Sequence, residues 1–389
     1  MTRSLSLRAL LALAVLVALP TSSDAQMRAD TSALSARLGV DTISVERIIR
    51  TATRVEAEVV TRSPRTTLQR HTATLDAAGM LATLEIVHLD PATGTETRRT
   101  TYARRGDSLQ IAESAGERTT QRSIAAPAEW LPFVDLVHWP FDIALRRLRA
   151  SGSASVEAPM LSGNRFSGFQ LAFIGRDSAT VTHPTRGTMR LTVLADGSIR
   201  TLDAGATTRA LVVTRAPGSD VSALARDFAA RDASGRGIGE LSGRGGGDAT
   251  VHGATITLDY GVPMMRGREI WGALVRYDAL WRTGANRATH FKTDTPLRFG
   301  ELLVPAGEYT LFSMPTATGG VLIINKQTGQ NGQQYDPARD LGRVQIRPAP
   351  LGASVEAFTI VARERNGRGA LALQWDRTEY IAEFVVVRP

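Results

Sequence analysis

Apolar and polar residues alternate from Thr42 onward, in short runs broken by turn formers. "ISVERIIR", "TRVEAEVVTR", "TTLQRHTATLD", "GMLATLEIVHLD" and "TETRRTTYARRGDSLQIAES" each read as strands with one face turned inward. Asp-Ala-Ala-Gly, Pro-Ala-Thr-Gly and Arg-Gly-Asp punctuate them as turns. "PFVDLVHWPFDIALRRLRA" then changes period. Val134, Val137, Phe141, Ile143, Leu145 and Leu148 make a helical stripe, with Pro140 as a kink or a boundary. Strands resume at "FSGFQLAFIG", "SATVTHP", "GTMRLTVLADG", "SIRTLDA" and "TRALVVTR". An antiparallel meander with one amphipathic interruption predicts a curved sheet or open barrel wrapped around a helix. Exported lipoprotein carriers have that architecture, an analogy of shape alone.

"SDVSALARDFAAR" predicts a second short helix, with Val221, Leu224 and Phe228 on one side. Seven glycines follow within Gly235–Gly247. So much backbone freedom is expensive to fix inside a regular element, so the run reads as a linker. No G-x-G-x-x-G register and no Gly-Lys-Ser/Thr are present, which excludes a phosphate loop. Beyond it the pattern is all-β. Strands are expected at Ala254–Tyr260, Arg268–Val275, Arg287–Thr293, Glu308–Met314, Gly320–Lys326, Arg343–Arg347, Ser354–Arg363, Gly369–Trp375 and Glu379–Val387. A spacing of about ten residues argues for a β-sandwich or jelly roll. Leu371, Leu373 and Trp375 should share its inner face.

The first residues behave differently. Arg3 and Arg8 precede an eleven-residue apolar run, Ala9 to Leu19, too short to span a bilayer. Ser23-Asp24-Ala25 supplies small residues for cleavage, so 1–25 is expected to be a signal peptide and the protein periplasmic or extracellular. No other apolar run approaches membrane length. The expected order is signal peptide 1–25, flexible segment 26–41, β domain with an internal helix 42–217, short helix and glycine-rich linker 218–250, and β-sandwich 251–389.

The chain has no cysteine, which excludes disulfides, thiolate metal sites and a lipoprotein anchor. Its formal charge is +8, almost all of it from arginine. The charge is spread out, without basic runs or interleaved aromatics, so nucleic acid is not the expected partner. An anionic envelope polymer fits better. The histidines show neither H-x-H nor H-E-x-x-H spacing, and no G-x-S-x-G elbow is present. No metal or cofactor is expected, and the oligomeric state is not legible.

"YGVPMMRGREIWGALVRYDALWRTGANRAT" resembles the opening of a bacterial family catalogued as domain of unknown function 2911. "LLVPAGEYTLFSMP", "LIINK" and "YDPARDLGRV" follow in the family's order. The resemblance covers roughly Ala254 to Pro389 and implies an exported β-domain with no assigned activity. No family is recognised for residues 42–230. Val262, Arg276 and Arg287 depart from the family's usual arginine, proline and glutamate. The last departure removes a carboxylate that could have acted as a base.

The same stretch carries the candidate chemistry. Six cations, Arg266, Arg268, Arg276, Arg282, Arg287 and Lys292, lie among two carboxylates, Glu269 and Asp278. On a strand, Arg266 and Arg268 would share a face suited to a carboxylate, sulfate or phosphate; the alternative is a structural clamp on nearby acids. Trp281-Arg282-Thr283-Gly284-Ala285-Asn286 has the residues of a tight turn. It could equally offer Trp281 as a stacking platform, with Arg282 and Asn286 as fixed hydrogen-bonding groups. Lys326 closes an apolar strand on the face opposite Asn325. The "QTGQNGQQ" segment after it could be a lid or an ordinary loop.

The leading reading is a non-catalytic binding module for a small anionic or polyhydroxylated ligand. Its site would use Arg266, Arg268, Trp281, Arg282, Asn286 and Lys326. The alternatives are a hydrolase drawing on Asp278, His290, Asp336 or Asp340, and a structural or partner-binding protein.

Overall fold

The computed structural model describes residues 29–207, 209–216 and 218–388. The proposed signal peptide lies outside the described residues. Among them, no helix is long and apolar enough to cross a membrane.

The N-terminal half is one curved sheet of fifteen strands. Its order shows how it is built. From the edge strand Arg118–Ala125, neighbours run back through the sequence to β1 (Asp30–Leu38). β1 then pairs with Val212–Ala216, and the order runs back again to Leu131–Pro132 at the other edge. Two meanders are thus joined along β1. The segment expected to be flexible is therefore the seam of the sheet. Leu34, Ala36 and Leu38 point into the core, while Ala33 is buried on the opposite face. All pairings in this sheet are antiparallel except the short strand Leu131–Pro132, which runs parallel to Ser155–Ser162.

Inside the curve lies α1 (Trp139–Ser151), with Trp139, Phe141, Ile143, Leu145 and Leu148 buried against the sheet. Pro140 occupies the first turn, where its missing N–H is harmless. It starts the helix rather than kinking it, so Val134 and Val137 precede the element. The orphaned N–H groups there find Glu46, which is fully buried. Its carboxylate accepts from His138 N (2.7 Å), Trp139 N (3.0 Å) and His138 Nδ1 (2.8 Å). Trp139 Nε1 in turn donates to His71 Nδ1 (2.9 Å). A second helix, α2 (Val221–Ala233), is capped by Asp220 and sets Val221, Ala225 and Phe228 on the outer face of the sheet, over Val45, Val60 and Leu68.

The C-terminal half has two smaller antiparallel sheets. One orders Ser242–Val251, Ala254–Pro263, Thr289–Thr293, Gly307–Pro315, Gly320–Asn325 and Asp340–Gln345. The other orders Leu302–Val304, Leu297–Phe299, Arg368–Val386 and Arg347–Arg365. Leu258, Phe291, Leu311, Phe358, Leu371 and Trp375 belong to the single core they share. Three expectations change here. The glycine-rich run leaves the loop at Ser242 and becomes a strand paired along its length with Ala254–Pro263. The partner strand supplies the hydrogen bonds that offset the cost of fixing the glycines. The three expected C-terminal strands are two long ones of 19 residues each, bent by irregularities between Pro350 and Thr359. Arg268–Val275 is not a strand: Arg266, Gly267 and Gly272 have φ of 51°, 69° and 91°, and the chain turns repeatedly.

The halves meet at Arg266. Its guanidinium donates to Asp41 Oδ2 (2.6 Å) and to the carbonyls of Ile238 and Glu240 (3.2 Å each). Its own carbonyl accepts from Val40 N (3.0 Å). Gly39 passes so close to that carbonyl that a Cβ there would sit on the oxygen.

Candidate functional site

The turn at Trp281–Asn286 is built by its neighbours. Trp281 exchanges two 2.8 Å backbone hydrogen bonds with Ser313, which fixes its entry. Thr283 is fully buried with φ 53°, and its hydroxyl reaches Ser313 Oγ at 2.9 Å. Thr289 Oγ1 donates to the Thr283 carbonyl (2.6 Å), and Ala285 N donates to Gly261 O (3.1 Å). Asn286 has φ 63°. Thr283 is held in its left-handed conformation by bonds to Ser313 and Thr289 on neighbouring strands.

The indole of Trp281 stacks on Trp375, with centroids 6.1 Å apart and planes 17° apart. It meets Phe358 and Trp271 edge-on at 4.9 and 6.0 Å. The ring is therefore part of the core wall, yet half-exposed on its other side. That side borders two hollows between the halves of the molecule. One, of about 430 Å³, has Arg268, Trp281, Arg282, Gly284 and Asn286 on the C-terminal wall and Leu38, Asp135, Leu136 and Arg209 on the N-terminal wall. The other, of about 690 Å³, lies between Arg276, Trp281, Arg282 and Tyr335 and the N-terminal Arg186 and Ala206. Thr207, Leu274, Val275, Trp281 and Arg282 border both, so the hollows form one cleft divided by the Trp281–Arg282 ridge.

Arg282 is the unusual group in it. It is half-buried, and among the described residues its guanidinium makes only two long hydrogen bonds of 3.4 Å, to the carbonyls of Gly284 and Asn286. No carboxylate pairs with it among the described residues. Desolvation lowers its pKa, which marks a charge whose water has been taken away without a counter-charge in exchange. Arg268 also lines the cleft, but Met264 O (2.6 Å) and Met265 O (3.0 Å) hold its guanidinium. Burial, then the charge of Arg266, lowers its pKa. Asn286 is exposed at the cleft edge, with a long 3.5 Å contact from Nδ2 to Ser242 O.

Two expected site residues lie elsewhere. Arg266 is buried and committed to Asp41, because its left-handed backbone turns it away from Arg268 and into the joint between the halves. Lys326 is exposed and lines neither hollow; its strand ends beyond them. The hydrolase candidates do not converge. His290 Nδ1 donates to Ala288 O (2.9 Å) and Nε2 accepts from Gly329 N (2.9 Å), so both nitrogens are engaged. Asp336 caps the turn Pro337–Arg339. Asp340 accepts from Tyr335 Oη (2.7 Å) and Asn325 Nδ2 (2.9 Å). Asp278 is exposed in a turn and lines neither hollow. The sequence reading missed the N-terminal wall: Asp135, Arg186, Thr207 and Arg209 lie at least seventy residues away along the chain, and no local pattern distinguishes them.

With the ridge, the turn and the strand order Ala254–Pro263, Thr289–Thr293, Gly307–Pro315 in place, the family expectation is met. Residues 245–384 match the family described as Protein of unknown function (DUF2911). The ridge and its turn lie inside the DUF2911 segment, and the facing wall lies outside it. No curated protein matches the chain. Among solved structures, the chain is similar to a DUF1089-family protein from Pseudomonas aeruginosa, at 10% identity and a TM-score of 0.30, over 42% of this chain and 90% of that one. It is also similar to a β-barrel-like protein of domain of unknown function DUF1849 from Brucella abortus, at 10% identity and a TM-score of 0.32, over 49% and 94%.

Proposed function

We propose that the protein is an exported, non-catalytic envelope module whose cleft holds a small anionic or polyhydroxylated ligand. Arg282 neutralises the ligand, the free side of the Trp281 indole packs against it, and Asn286 and Arg268 fix its orientation. One observation carries the reading: a half-buried guanidinium without a carboxylate, beside an aromatic wall and an open hollow. A charge in that position is stabilised by an anion from outside. Export rests on the leader at 1–25, with cleavage after Ala25. The two units, expected at 42–217 and 251–389 and extended in the structure by β1 and by Ser242–Val251, then act as the two jaws.

The test is calorimetric titration of the full mature chain with planar carboxylates, organic phosphates and envelope sugars, repeated on Arg282→Gln. Binding by the wild type and its loss in the variant, with melting temperature preserved, is expected. A variant that binds every ligand as well as the wild type would remove Arg282 from the site and the proposal with it. N-terminal sequencing of the protein from the host envelope should begin at Gln26.

A further inference from the structure

The DUF2911 segment accounts for only one wall of the cleft. On the opposite wall, Asp135 receives two guanidiniums: Arg186 Nη1 at 2.7 Å on Oδ1, and Arg209 Nη2 on Oδ2. One carboxylate cannot neutralise both, so this lip keeps a surplus positive charge. His183 beside it adds none near neutral pH. Burial, and next the charge of Arg186, pushes its pKa down to about 4. Arg209 borders the smaller hollow and Arg186 the larger, and in each the facing wall carries Arg282. Between these poles Leu274, Val275 and the Trp281 indole give both hollows an apolar strip, beside Thr207. Among the described residues the larger hollow has no carboxylate in its lining and Arg276 adds a further cation there, whereas the smaller one includes Asp135 and Glu240.

We infer that the ligand is a two-ended anion: a flat or apolar body with an anionic group at each end, one for Arg282 and one for the Arg186–Asp135–Arg209 lip. This rests on the reading of Arg282 given above and narrows it. A single anion satisfies one pole and leaves the other unmatched. A ligand with two satisfies both and places its body against the indole. Such a ligand also ties the two halves together, because each end is gripped by a different sheet system. The ion pairs at the lip open onto solvent, so either arginine can turn from Asp135 toward an incoming anion without leaving a buried group unpaired.

The experiment titrates the full mature chain with terephthalate and with benzoate, which share a ring and differ by one carboxylate. Phenyl phosphate and 4-carboxyphenyl phosphate form a second pair. Within each pair the two-ended ligand should bind at least about tenfold tighter. Arg209→Gln should erase that advantage while leaving the one-ended ligand unchanged. Arg186→Gln, which leaves Asp135 paired with Arg209, should do the same if Arg209→Gln fails to fold. Arg282→Gln should weaken both members of each pair. If one-ended and two-ended ligands bind equally and neither lip variant matters, the two-ended inference is overturned while the Arg282 reading stands. If Arg282→Gln changes nothing, that reading fails too. Failure of all four compounds to bind overturns both.

Discussion

The joint at Arg266 yields the most quantitative prediction. Its guanidinium is 7% exposed, while the Asp41 carboxylate keeps 29% of its surface. Asp41→Ala removes the only charged acceptor among the described residues and leaves the cation with two carbonyls at 3.2 Å. Removing one partner of a closed ion pair costs about 3–5 kcal/mol. Water reaching the half-open Asp41 side repays part of this, so about 2 kcal/mol is expected. Arg266→Met keeps the apolar stem and should cost about as much, because it also releases the carbonyls of Ile238 and Glu240. In the double variant no charge is left stranded, and its cost should fall short of the sum by about 1.5 kcal/mol. Urea denaturation followed by tryptophan fluorescence measures all four corners of the cycle. Limited proteolysis should show faster cutting near Ile238–Glu240 once Arg266 is gone. A coupling below about 0.5 kcal/mol would mean that the pair behaves like a surface contact. The account of how the halves are joined would then be wrong.

Other outcomes follow from the same geometry. Gly39→Ala places a Cβ on the Arg266 carbonyl at a residue with φ 61°, and Gly261→Ala does the same to Ala285 O. Each should lower stability by about 3 kcal/mol or more, seen as a shift in urea midpoint, and a neutral result at either would mean that the backbone yields. Trp281→Ala should lower stability by about 2–3 kcal/mol, because the ring is wedged among Phe358, Trp375 and Trp271. Arg282→Gln should change it by less than about 0.5 kcal/mol. Equal melting temperatures for these two variants would contradict the packing described. His71 is fully buried and its pKa falls to about 3. It stays neutral in the fold while the unfolded chain takes up a proton below about pH 6.5, so stability should drain away as pH falls from 6.5 toward 3. The slope approaches about 1.4 kcal/mol per pH unit. Comparing urea midpoints at pH 7 and pH 5, with the His71 ring followed by NMR, checks this, and protonation of the folded-state ring above pH 5 would refute it.

Much of the fold was legible because its period was legible. Both helices fall where the stripe through Phe141 and Leu148 and the one through Val221 and Phe228 predicted them. Most C-terminal strands do too. The failures have physical causes. β1 offers only Leu34, Ala36 and Leu38 to the core within a short, otherwise small and polar run, and Gly243–Gly247 forms a strand that only its partner can stabilise. Arg268–Val275 carries strand-like residues, but the positive φ at Arg266 and Gly267 breaks the run before it starts. Within the candidate site, Trp281, Arg282 and Asn286 were readable because they occupy one turn. Arg266 was misplaced because period two was assumed through a left-handed residue. Asp135 and Arg209 could not be read, since their nearness to Arg282 is a product of tertiary folding alone.

The position of β1 governs how the chain must be assembled. Ala33 pairs with Arg47 on one side and with Ala216 on the other. The second edge of this strand therefore waits unpaired until nearly two hundred further residues exist. At synthesis rates of about 5–20 residues per second that is roughly ten to forty seconds, during which a bare hydrogen-bonding edge is open to any strand nearby. Folding only after the whole polypeptide has been released removes the wait, so delayed folding suits this topology better than folding on the ribosome.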